Sequence, residues 1–383
     1  MNFNLNDEQL ALRDLVEKTL KNKCPVEEVR RLMETDIGYS EEHWATMAEQ
    51  GWTGLVVPEE YDGLGLGITD LGVIMEEMGV SLCPSPFFAT VVLGAQAILK
   101  GGNEEQKKAY LPKVSTGEIK LTLAIHEDDT ACGDFYIKGT ARKNGGNYVL
   151  NGTKLFVPYA HAADALICAM RTKGNPGDED GISLFIVDSG AKGVQRNILR
   201  TMDMTSRQCE VVLDNVVVPE SALLGQLDQG GKILRAVIDY ATVVMCAEML
   251  GGMRKSFNLA LEYAKIREQF GVPIGSFQII KHYLADMVLM NENAQSITYS
   301  AACSMNDDAA AEDKSLACSM AKAYCGDAYT FIVNKAVQIF GGIGFSWEHD
   351  IHLYLKKAKN LSLTFGDSDY HRDRVANLIG LDG

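Results

Sequence analysis

LEYAKIREQFGVPIGSFQ, residues 261–278, is the stretch on which the architecture turns. Its first half carries apolar residues at helical spacing and extends the 3.6-residue period that begins at Ile233. The pattern predicts a helix that ends at Gly271-x-Pro273, since glycine closes helices and proline cannot continue them. That end delivers Arg267, Gln269, Phe270 and Gln278. Arginine offers a bidentate donor for phosphate and phenylalanine a face for stacking. A capped surface helix accounts for the same residues equally well.

Toward the C-terminus, FQIIKHYLADMVLMNENAQSITYSAACSM (277–305) repeats the helical period, and QIFGGIGF (338–345) is an apolar helix end running into paired glycines. Residues 225–383 therefore read as a helical bundle. Toward the N-terminus the period changes. IKLTLAI, NYVLNGTKLFV, DALICAM, GISLFIV and QCEVVLDNVVV are short β-branched segments separated by Gly, Asn and Asp, so residues 121–224 read as a β domain. Residues 1–120 are helical again: Asn6 with Gln9 forms a capping-box signal ahead of Leu12, Leu15, Val16 and Leu20. The fold class is α+β.

The chain has 383 residues, more than one hydrophobic core usually serves. Its 36 Lys and Arg against 51 Asp and Glu give a formal charge of −15, which argues against nucleic acid as a partner. Nine cysteines without a C-x-x-C pair suit reduced core thiols and a cytoplasmic location. No apolar run reaches the length of a membrane span. GLGLG (63–67) follows no strand and reads as a turn, and His349 and His352 lack a third ligand and read as solvated, so no metal is expected.

Taken in order, MNFNLNDEQ, PEEYDGLGLG, GNEEQKKAYLPKVSTGE, NGTKLFV, LEYAKIREQFGVPIGSFQ and QIFGGIGF resemble the acyl-CoA dehydrogenase family over nearly the whole chain. The resemblance implies an N-terminal helical domain, a central β-barrel-like domain and a C-terminal four-helix bundle. It also implies bound FAD, an acyl-CoA substrate, electron-transferring flavoprotein as acceptor, and a homo- or hetero-tetramer built as a dimer of dimers. Arg267 and Gln269 then become ligands of the FAD pyrophosphate of a neighbouring subunit, with Phe270 beside them. Gln278, Gln338, Gly341 and Gly342 would hold the adenine half. Phe156, Val157 and Pro158 stand where the family has Trp-Ile-Thr against the flavin, Ile125 and His126 where it has Val-Thr, and Asp367 near the phosphates. Phe87, Phe88, Val92, Tyr240, Thr364, Phe365 and Gly366 would meet the substrate.

Two departures bear on chemistry. Setting Gly341-Gly342 on the family's paired glycines without gaps places Thr364-Phe365-Gly366-Asp367 on its Y-E-G-T motif, so Phe365 replaces the base glutamate. Some members carry that glutamate on the helix before the LGG turn, and Ala241 stands there. The loop His126–Asp134 also lacks the family's proline and is one residue longer. The base is thus unassigned, with His126, Glu127 and Tyr240 as weak candidates, each equally explained by structural hydrogen bonding. The expected activity is dehydrogenation of an unusual acyl-CoA, cyclic or dicarboxylic, with hydride passing to flavin N5. The alternatives are a base-less FAD-sharing subunit of a hetero-oligomeric dehydrogenase, and a flavin-bearing acyl-CoA lyase or reductase.

Overall fold

Asn6 opens the first helix as its spacing predicts, its side chain accepting from the Gln9 N–H while the Gln9 side chain returns to the Asn6 N–H. The structure, a computed structural model, describes residues 5–127, 135–305 and 309–381. Six α-helices precede the sheet: α1 Asp7–Lys23, α2 Val26–Met33, α3 Glu41–Glu49, α4 Ile68–Ser81, α5 Ala95–Gly101 and α6 Glu104–Ser115. Five follow it: α7 Gly230–Ile266, α8 Gln278–Ser304, α9 Ala311–Phe340, α10 Ile351–Leu363 and α11 Ser368–Leu378.

The chain divides into two compact units. One comprises Met1–Arg31, Ile68–Cys83 and Thr242–Gly383, the other Leu32–Gly67 and Pro84–Ala241, so the 1–120 segment is shared between them. In the first, the long apolar α9 packs against α8, α10 and α11. α4 and α7 approach closely at Gly251, where an added Cβ would fall 1.8 Å from the Glu76 carbonyl oxygen.

The second unit is built on a sheet: β1 Leu121–Ala124, β2 Thr140–Asn144, β3 Asn147–Pro158, β4 Ala165–Arg171, β5 Ile182–Asp188, β6 Val194–Ile198, β7 Gln208–Pro219 and β8 Leu223–Leu224. Its path runs β6-β7-β3-β2-β4-β5-β8 with β1 parallel to β4. This path is open among the described residues, so hydrogen bonding does not close the expected barrel. β2, β6 and β8 carry no strong alternation and were not among the expected strands. Leu150, Leu166, Cys168, Phe185, Val211 and Val216 form its buried core.

A π-helical turn, Phe88–Gly94, leads into α5. The Thr90 hydroxyl donates to the Leu121 carbonyl at 3.3 Å and accepts from the Leu121 N–H at 3.2 Å. Gly94 lies so near β1 that a Cβ would sit 2.3 Å from that of Leu121. GLGLG is a turn, as expected: the N–H groups of Leu64, Gly65 and Leu66 bond Gly54, Val57 and Leu55 carbonyls, leaving none of the three to cradle a phosphate.

Two expectations need correction. α7 stops at Ile266, and Arg267 leads into a small hairpin of β9 Glu268–Gln269 and β10 Val272–Pro273, turned by Phe270 and Gly271 at φ 54° and 77°. The hairpin wins because Gly271 permits the left-handed turn and Pro273 forbids helix. His352 is buried rather than solvated, stacked on the Trp347 ring at 4.8 Å with Nε2 3.1 Å from the Trp347 carbonyl. No group of three metal-binding side chains occurs among the described residues, and no described helix is long and apolar enough to cross a membrane.

Gly251→Ala should destabilise the protein by about 1–3 kcal/mol through forced separation of α4 and α7, read as a lower thermal midpoint.

Candidate active site

The turn after α10 gathers the sequence's most telling residues. Phe365 is buried and takes φ 57°, followed by Gly366 at φ 99°. Gly366 admits no side chain, since a Cβ would lie 2.2 Å from the Tyr370 ring. A left-handed phenylalanine costs about 1–3 kcal/mol and persists only where its surroundings over-determine it. Here they do. Lys322 Nζ donates to the Ser362 carbonyl at 3.1 Å and to the Gly366 carbonyl at 2.6 Å, while His371 Nε2 lies 3.0 Å from the Phe365 carbonyl. Asp367 caps α11, accepting from the Tyr370 N–H at 2.9 Å, so its carboxylate is engaged by a helix terminus. Lys322 is wholly buried, and burial pulls its pKa below the usual range.

Beside this turn lies a cavity of 820 Å³ in which Gln338 and Asp367 meet Lys335, Lys359 and Tyr283. Lys335 Nζ sits 4.2 Å from the Tyr283 ring centre. Gly341, at φ 63°, and Gly342 have open space where a Cβ would be. On the hairpin, Arg267, Gln269 and Phe270 are exposed, Phe270 by 92%. Arg267 makes no ion pair with a described residue. Gln278, also exposed, lies 2.9 Å from His282.

The sheet carries the second group. β3 slips register against β7 between Lys154 and Val157, and this bulge turns Phe156 outward at φ 54° with 56% of its surface exposed. Val157 and Ile125 are buried, and His126 and Pro158 half-buried. Lys154, one residue before the slip, is wholly buried: its Nζ lies 2.5 Å from Glu127 Oε1 and 3.1 Å from the Ile125 carbonyl. Glu127 also accepts from the N–H groups of Lys138 at 2.8 Å and Gly139 at 3.0 Å. Burial lowers the Lys154 pKa while Glu127 pushes it back. Glu127 is thereby saturated, which leaves it poorly placed to take a substrate proton. The rest of the His126–Asp134 loop lies outside the described residues.

Tyr240 is half-buried, with Lys100 Nζ 5.4 Å from its ring centre, and desolvation holds its phenol protonated well above the usual range. Ala241, Phe87 and Val92 are wholly buried, and Phe88 half-buried. Thr364 is half-buried, its hydroxyl donating to the Asn360 carbonyl at 2.9 Å. Lys154, Lys322 and His371 escaped the sequence reading. The only signal was two lysines inside otherwise apolar runs.

Three domain families match in order along the chain: acyl-CoA dehydrogenase N-terminal domain over residues 6–118, middle domain over 123–216 and C-terminal domain over 228–380. The chain belongs to the acyl-CoA dehydrogenase family. It is 31% identical over 384 residues to an acyl-CoA dehydrogenase of Bacillus subtilis, covering 97% of each. It is 29% identical to the acryloyl-CoA reductase (NADH) of Anaerotignum propionicum, over 99% of this chain and 96% of that one. The butyryl-CoA dehydrogenase structure from Megasphaera elsdenii superposes with a TM-score of 0.90 at 28% identity, over 99% and 100% of the two chains.

Membership of this acyl-CoA dehydrogenase family makes the chain an FAD-dependent oxidoreductase, and its residues fit the cofactor. In the first unit Arg267, which makes no ion pair with a described residue, the exposed ring of Phe270 and the open backbone of Gly341 and Gly342 have the chemistry to bind phosphate, stack and allow close approach, and in the second unit Phe156 exposes a ring suited to stacking. Arg267→Ala should therefore lose FAD more severely than Asp367→Thr, because threonine still caps α11. Titrating FAD into the apo-proteins and comparing dissociation constants checks the order. Lys154→Met should cost about 3–5 kcal/mol by leaving Glu127 charged and buried, and the double variant with Glu127→Gln less, measured by urea unfolding.

Proposed function

We propose that the chain is an acyl-CoA dehydrogenase-type oxidoreductase for an unusual acyl-CoA thioester, cyclic or dicarboxylic, whose Cα proton is not taken from the Phe365 turn. Bound FAD supplies the hydride acceptor at N5, and electron-transferring flavoprotein is the onward acceptor. The observation that carries this reading is Phe365 itself, an aromatic ring that is buried and that the resemblance sets where the family has its carboxylate. The ring excludes water and accepts no proton, while the backbone N–H of Phe365 can polarise a thioester carbonyl. Of the weaker candidates, Glu127 is occupied by Lys154 and two amides. Burial raises the Tyr240 pKa, so its phenol stays protonated and does not serve as the base.

A second reading follows from the same saturation of Glu127: the chain shares FAD with a different subunit that supplies the base. A reductase running toward the saturated thioester is the third, supported by the acryloyl-CoA reductase relative.

Anaerobic stopped-flow flavin reduction with butyryl- to octanoyl-CoA separates these readings. Wild type should reduce slowly. Phe365→Glu should gain partial activity that rises with pH, because a carboxyl in this apolar site has a raised pKa and works only when ionised. Fast wild-type reduction that survives Phe365→Ala and is abolished by His126→Ala would instead establish ordinary dehydrogenation with a relocated base.

A further inference from the structure

We propose that Lys322 and His371 are positioning residues for the acyl thioester: they hold the Phe365 turn left-handed and so fix where its ring and N–H meet the substrate. The inference rests on the reading that this turn faces the acyl-CoA.

A wholly buried ammonium is costly unless its donors are bonded. Lys322 is buried among the Cys246, Cys318 and Cys325 thiols and forms no ion pair with a described carboxylate. Its bonds go to two carbonyls that bracket Phe365, those of Ser362 and Gly366. Ser362 lies in the last turn of α10, where carbonyls lack helical partners and a cation is favoured, and Gly366 lies in the turn between α10 and α11. From α11, His371 engages the intervening carbonyl of Phe365 at 3.0 Å. One cation and one imidazole thus hold three carbonyls within five residues. Phenylalanine resists the left-handed region, so removing them weakens the hold on this form beyond what the 3.3 Å bond from the Gly366 N–H to the Leu363 carbonyl supplies. Relaxation would swing both the ring and the N–H. A lysine that merely caps α10 would stabilise the helix without affecting a bound ligand.

The test is isotope-edited infrared spectroscopy of the holoenzyme with three thioesters labelled with 13C at the carbonyl: octanoyl-, cyclohexanecarbonyl- and glutaryl-CoA. Wild type should lower the carbonyl stretch of whichever binds. Lys322→Met should lose most of that displacement while retaining FAD, His371→Leu should lose part of it, and His371→Gln, which keeps an N–H donor, should preserve it. Wild-type displacement in both Lys322→Met and His371→Leu overturns the inference while leaving the acyl-CoA reading intact. If Lys322→Met does not fold, the His371→Leu and His371→Gln pair decides alone. Calorimetric absence of binding by all three thioesters to wild type overturns the acyl-CoA reading and this inference together.

Discussion

Where α4 meets α7, the backbones nearly touch. A Cβ on Gly79 would fall 2.0 Å from the Glu248 carbonyl oxygen, the counterpart of the contact at Gly251. This approach draws Glu76 and Glu77 of α4 into the interior, at 4% and 3% exposure. Two adjacent buried carboxylates are tolerable only when each finds a cation. Arg254 of α7 spans both, at 2.6 Å and 2.5 Å, Arg13 of α1 reaches Glu76 at 3.2 Å, and Tyr299 of α8 donates to Glu76 at 3.1 Å. The placement of four helices is therefore written into one charge cluster. Burial still leaves the Glu77 pKa above its ordinary value despite Arg254.

Much of this was legible beforehand, wherever local chemistry decides. The capping box at Asn6 and Gln9, the apolar runs of β4 and β5, and the glycines after Phe340 each specify their element through nearest neighbours. Arg267 was misplaced onto a helix because EYAKIREQF has helical propensity throughout, and the left-handed Gly271 with the pairing of Val272 and Gln269 ends it early. His352 was read as solvated because its partner, Trp347, matters through ring stacking that spacing does not encode.

The buried lysines were illegible for a related reason: lysine is a surface residue by default, and nothing local marks an exception. They solve the same burial problem differently. Lys154 is balanced by the carboxylate of Glu127, whereas Lys322 relies on carbonyl dipoles of the last turn of α10 and of the turn that follows it. The first arrangement neutralises charge and anchors the strand that presents Phe156. The second places the amine under the Phe365 turn with burial pulling its pKa down, in a chain that is otherwise strongly acidic. In their separate units, the Glu127 carboxylate is committed to lysine and backbone amides and that of Asp367 to a helix cap.

The π-helical turn at Phe88–Gly94 bears on what sequence drift this fold can absorb. A π turn carries an extra residue relative to the α-helix, so it offers an obvious place for deletion. Losing one residue there would tighten the turn toward the α-helix and change which side chains within it face β1. Thr90 would leave the Leu121 backbone, and a different residue would arrive where Gly94 alone fits against β1. A length change in this segment is therefore viable only with a matching change in β1, and the two should vary as a pair.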